Sequence, residues 1–232
     1  MQLNPLLRRA SVAGRRAMRR ARLLRDSRAT VMVEMAFCVP LLVLIAFGGI
    51  EMSNLTLVNT RISQIAFNTA DNASRIAFGS NLSLPQVREV DINDIFAGVA
   101  AQAVGLDFKK HGRIILSSLE MNDDGGQTIK WQRCYGDMPI NSSYGKQGTG
   151  KTGTAFKGMG PANKVVAATS GTAIMYVEIA YQYQPLAYGN WLGPRTIRTE
   201  AAYNIREGRD LDTNNGTGVI NPSPSVTPST CP

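Results

Sequence analysis

Histidine is nearly missing from this sequence: His111 stands alone among 232 residues, and there are only three cysteines. No Cys, His or carboxylate cluster has metal-ligand spacing, so no metal site is expected. His111 has no evident nucleophile or third partner for a catalytic triad. Charged residues make up 18% and aromatic residues 7% of the chain, and Pro and Gly are too few for a fibrous or disordered chain. The length suits one ordinary domain with a sizeable core.

Acid is also scarce at the N-terminus. Residues 1–28 hold nine arginines, no lysine and one acid, Asp26. The other 16 bases and 16 acids cancel over residues 29–232, so the net charge of +8 belongs to an N-terminal arm. A basic nucleic-acid-binding domain would spread that charge over a folded surface, so no nucleic-acid partner is expected.

An uncharged stretch follows, broken once. Thr30–Ile50 is a run of 21 residues whose one charge is Glu34. As a helix it rises about 30 Å, the thickness of a bilayer core. Positive flanks stay in the cytoplasm, which puts the N-terminus inside and the rest of the chain outside. A secretory signal peptide is one alternative, but no small-x-small site follows Ile50. An Arg-rich mitochondrial presequence is another, and nothing downstream supports it. A lipoprotein reading of Cys38 fails because Phe37 precedes it and the apolar run follows it. Pro40 removes the backbone bond to the carbonyl of Ala36.

The basic arm, Ser27-Arg28-Ala29-Thr30-Val31-Met32-Val33-Glu34-Met35-Ala36, Pro40-Leu41-Leu42 and the ending Gly48-Gly49-Ile50-Glu51 resemble the TadE-like minor pilins (pseudopilins) of the tight-adherence (Tad) pilus. The resemblance is strongest over residues 25–60. It implies a prepilin peptidase that cuts on the cytoplasmic side at Ala29–Thr30, with Glu34 five residues after the bond. The chain has Ala29 where the family usually has Gly, and Met35 where Phe or Tyr is commoner. Cleavage frees an α-amine at Thr30. In pilin-like assemblies such an amine pairs with a neighbouring subunit's glutamate, which gives Glu34 an assembly role. The alternative is that Glu34 reaches the headgroups. Further implications are an inner-membrane location, partners among other Tad pilins and assembly proteins, and a role in adhesion. The chain is expected to be a peptidase substrate rather than an enzyme, with no cofactor.

Downstream, Leu55, Val58, Ile62, Ile65, Thr69, Asn72 and Ile76 step by three and four. One helix is predicted from Thr30 to Phe78, stopped by Gly79. A second is predicted over 84–104, with Val87, Ile92, Ile95, Phe96, Val99 and Ala103 on one face. Arg113–Asn122 and Gln127–Arg133 flank Asp123-Asp124-Gly125-Gly126, a hairpin signal that makes the two acids turn residues rather than a catalytic pair. Thr172–Gln184 and Arg195–Arg206 alternate as strands. The fold class expected is α+β: a long transmembrane and amphipathic helix packed on a small antiparallel sheet with one polar face, pilin-like. The predicted organisation is a cytoplasmic arm (1–29), a membrane helix (30–51), its amphipathic continuation (52–79), an exported head (80–206) and a Pro-rich tail (207–232). Residues 136–164 are expected to be a loop, and the tail extended or disordered.

Two motifs remain. Gly145-Lys146-Gln147-Gly148-Thr149-Gly150-Lys151-Thr152 fits the phosphate-binding P-loop pattern, but no apolar strand precedes it and Gly and Pro follow it. No nucleotide is expected. Cys134 and Cys231 are the two exported cysteines, and their pairing in a disulfide is expected. Two free thiols, or pairing with a partner, are the alternatives. Trp131, Trp191 and the tyrosines at 176, 181, 183, 188 and 203 are read as sheet core rather than as a carbohydrate-binding patch.

Overall fold

The computed structural model describes residues 27–76, 78, 79, 83–186 and 193–232. The chain divides into two units, Met1–Met52 and Ser53–Pro232. In order, its elements are α1 Ser27–Ser74, β1 Val87–Arg88, α2 Glu89–Gln102, α3 Phe108–His111, β2 Gly112–Met121, β3 Gln127–Tyr135, β4 Ala173–Gln182, β5 Thr196–Asn204, α4 Thr213–Gly216 and β6 Val219–Ile220.

The first unit contains the apolar part of α1. Its apolar window is long enough to cross a bilayer, and none of it is buried inside the molecule. Met32 and Phe37 are 77% and 78% exposed. Pro40 lies inside the helix.

In the second unit an antiparallel sheet of order β3-β2-β4-β5 supports the core. One face carries Ile114, Leu116, Met175, Val177, Ile179, Tyr181, Ile197 and Ala201, and packs in one cluster with Ile62, Ile65 and Ala66 of α1 and Ile92, Phe96 and Val99 of α2. The fold is therefore α+β, with a long apolar helix and a four-stranded antiparallel sheet. Phe108 stacks on Tyr135 and Tyr181 along this face. The helical stripe differs from expectation at its end: Asn72 is exposed, and Ala70 and Ala73 are buried.

α1 stops at Ser74, short of Gly79. In a longer helix the Phe78 N–H would bond the Ser74 carbonyl. It donates to the Gln86 carbonyl instead (3.1 Å). The Ser74 carbonyl accepts from the Arg206 N–H (3.2 Å) and from Arg209 Nη2 (2.9 Å), and the Ala73 carbonyl also accepts from Arg209 Nη2 (3.3 Å). The last turn of α1 has no basic residue of its own, so a distant arginine serves its negative end. Arg61 does the same for α2, with Nε and Nη2 on the Gln102 carbonyl at 3.0 and 2.8 Å.

α2 starts at Glu89 rather than at 84, because Val87–Arg88 pairs in parallel with Val219–Ile220. Asp91 then accepts from the Arg88 N–H (3.2 Å), reaching back as a capping residue does. The buried Arg133 of β3 forms a two-contact ion pair with Glu89, fixing this strand to α2.

The other sheet face departs from the polar surface expected. Loop residues Tyr144, Phe156, Met159, Val166 and Ala168 pack on Leu119, Ile129, Ile174 and Tyr176. The glycine-rich segment is a loop, as expected, but it is a covering layer for part of the face. The tail also differs from expectation. It contains α4 and β6, and Thr230 bridges Arg133 of β3. Loop and tail together occupy the outer edge of β3: Gln127 N–H bonds Phe156 O, Ile129 N–H bonds Thr149 O, and Cys134 N–H bonds Ser229 O (3.2, 2.9 and 2.8 Å). At the opposite edge Tyr183 N–H donates to Arg195 O and Ile205 N–H to Ala173 O, so alternate β5 residues turn toward β4. Arg198, Glu200 and Ala202 therefore turn their backbone groups outward, where no backbone bond meets them among the described residues.

Candidate processing and assembly site

The Ala29–Thr30 bond lies in the opening turns of α1, which begins at Ser27. The first four N–H groups of a helix have no partner within it and give that end a partial positive charge. Thr30 and Glu34 are both exposed and stand four residues apart, which places them on the same helical face. If the chain began at Thr30, its α-ammonium would add a second positive charge to a helix N-terminus, an arrangement that favours a nearby carboxylate. Cys38 is a free, exposed thiol one turn further on, and Glu51 at the end of the apolar run is buried. The arm through Asp26 lies outside the described residues, as do Tyr188 and Trp191.

Cys134 and Cys231 are bonded, closing a span of 97 residues. The bond holds the tail against β3, beside the Cys134–Ser229 backbone contact. Trp131, Tyr176, Tyr181 and Tyr183 are buried, as a core role requires, and Tyr203 packs against the same core from a partly buried position.

The P-loop-like segment has the wrong surroundings for phosphate. Its backbone donors are already used: Gly148 N–H on Ile129 O (2.7 Å), Thr149 N–H on Lys146 O (3.0 Å) and Lys151 N–H on Gly148 O (3.2 Å). Turns and bends follow Thr152, so no helix N-terminus points at the loop. Gly150 has φ +72°, and a Cβ there would meet the Gln127 carbonyl and Phe156. The glycine serves close packing on β3.

His111 faces Asp107 at 3.9 Å. No cluster of metal-ligating side chains occurs among the described residues. Asp123-Asp124-Gly125-Gly126 is the β2–β3 turn, and Asp124 accepts from the Gly153 N–H (2.6 Å), tying the covering loop to the hairpin.

Sequence reasoning missed a polar network on the second sheet face. Glu178 and Glu200 are register partners on β4 and β5. Glu178 accepts from Ser142 Oγ (2.5 Å) and the Ser143 N–H (2.8 Å), and burial pushes its pKa up. Glu200 accepts from Tyr176 (2.5 Å) and Tyr144 (2.9 Å). Strict alternation places Glu200 on the outer face, and nothing local in the sequence marks that face as covered.

Residues 29–77 match the family described as TadE-like protein. No curated protein and no solved structure matches the chain. The segment that carries the Ala29–Thr30 bond, Glu34 and the apolar run is thus a TadE-like segment.

Proposed function

We propose that the chain is a minor pilin or pseudopilin that contributes to assembly of a Tad-type adhesion pilus. The observation that carries this is the TadE-like match over the candidate bond, the acid and an apolar helix that nothing in the molecule buries. In this reading the protein is held in the bacterial inner membrane by one helix, with the arginine arm cytoplasmic and the head on the far side. It is a substrate of a prepilin peptidase, not an enzyme itself. Cleavage at Ala29–Thr30 releases the arm. The α-amine of Thr30 then pairs with Glu34 of a neighbouring subunit, offsetting the cost of a carboxylate in lipid and setting axial register. Contacts between apolar helices replace lipid contacts as the subunit enters the assembly.

One residue favours a second reading. Ala29 stands where the family's glycine usually precedes the cut. A chain that keeps its arm is a permanently anchored exported binding protein.

The test is N-terminal sequencing with intact mass, on protein from native membranes with and without the peptidase. The expected mature chain starts at Thr30 and disappears without the peptidase. An intact arm in both samples selects the anchored reading. In the same cells Glu34→Ala is expected to prevent incorporation while leaving cleavage in place, and normal incorporation would remove the assembly role.

A further inference from the structure

The covering loop leaves one end of the second sheet face open. Around Arg113 a cavity of about 380 Å³ lies between β2, β3, the 140–147 stretch and the disulfide-held tail. That volume suits a small organic ligand.

The ionisable side chains on its wall are both cations, Arg113 and Lys146. Arg113 is only 9% exposed. Its Nη1 donates to the Gly136 carbonyl (2.8 Å), and its Nε is buried with no partner. Burial holds the Arg113 pKa below its ordinary value, and Asp137 opposes this from beyond ion-pair distance. Neither cation has an ion pair among the described residues. A buried cation without a counter-charge is costly, and a bound anion offsets that cost.

The rest of the wall mixes amides and aliphatic side chains with the Ser142 and Thr230 hydroxyls, the Cys134–Cys231 disulfide and Pro232. Gln147 spends its Oε1 on the Gln132 N–H and on Arg133, which leaves its amide NH2 to the cavity. Asn141 is exposed, and Ile115 and Ile140 add an apolar ledge. Of the exposed lysines in the 138–172 stretch Lys146 is the one on the wall, and Glu178 and Glu200 line the adjoining pocket that shares Arg113.

We infer that this cavity binds an acidic monosaccharide unit, a hexuronate. Arg113 and Lys146 take its carboxylate, Asn141 and Gln147 its ring hydroxyls, and Ile115 and Ile140 its apolar ring face. A bare inorganic anion leaves the amides, the ledge and most of the volume unused. The inference stands apart from the pilus reading, because the purified chain and a monosaccharide suffice to test it.

The full chain in detergent, with its disulfide intact, is titrated with D-glucuronate by calorimetry and saturation-transfer NMR. Saturable binding is expected, with D-glucose at least about tenfold weaker. Lys146→Ala, on an exposed loop, is expected to weaken glucuronate roughly tenfold with no change in melting temperature, the effect of one lost charged contact. Arg113→Gln is expected to abolish binding. Four results overturn the proposal: no saturable glucuronate binding, glucose binding equally, sulfate binding as tightly as glucuronate, or unchanged affinity in Lys146→Ala.

Discussion

Glu120 lies on β2 with its carboxyl buried, accepting from Ser118 Oγ (2.7 Å) and 4.0 Å from Lys130. Burial raises its pKa from 4.5 to about 7, although Ser118 and Lys130 act to lower it. The folded chain therefore keeps a proton that the unfolded chain releases between these two values. Stability is full below pH 4.5, falls as pH rises through the window, and levels off above about 7. Glu120→Gln, which is neutral throughout, is expected to flatten that slope. It should stabilise the protein at pH 8 by up to about 3 kcal/mol, read from urea midpoints at pH 5 and 8. Arg209 is buried nearby, and burial lowers its pKa to about 10, so it stays charged at neutral pH against the carbonyl end of α1. Neither role was legible in the sequence. Both depend on which distant groups surround a side chain, and alternation along one strand does not carry that information. Glu34 and the Ala29–Thr30 bond were legible, because their meaning rests on position beside an apolar run.

At the level of elements, strands were read more closely than ends. The alternation of Met175, Val177, Ile179 and Tyr181 gives the buried face of β4 directly, since a period of two is a local property. The end of α1 is not local. Its stop is made by Arg206 and Arg209, far along the chain, whereas the local sequence points to Gly79. The Pro-rich tail reads as free for the same reason: its anchors are β3, Asn93 and Cys134. Asn93 bonds both the Thr227 carbonyl (3.0 Å) and Ser229 (2.7 Å). The disulfide closes the 97-residue span on top of these contacts. Replacing Cys134 and Cys231 by Ser is expected to cost up to about 5 kcal/mol in the chain-entropy account. The loss should appear as a lower denaturation midpoint and match that of reduced wild type. Hydrogen exchange should quicken first at the Cys134 amide, whose acceptor is Ser229.

At the level of the whole molecule, charge asymmetry and hydropathy set out the plan: an arginine arm, an apolar helix and a neutral α+β head. The arm-in, head-out topology proposed here has a direct test. A cysteine placed at Lys157, on the exposed loop, is expected to react with a membrane-impermeant maleimide in intact spheroplasts. In cells lacking the peptidase, where the arm stays attached, a cysteine placed at Ser11 should react only after lysis. The reverse pattern would invert the topology.

The β3 edge has a consequence at this scale. Amyloid-like growth needs two reactive sides per sheet, one to join and one to be joined. Here one side is closed by the chain's own loop and tail, and among the described residues the β5 side is open. In the language of polymer chemistry the four-stranded sheet is monofunctional: its strand pairing ends with the first strand that docks on β5 and cannot propagate. In the assembly proposed here, where copies of the chain would gather in a membrane, this protects against open-ended sheet growth while the tail remains bonded to β3.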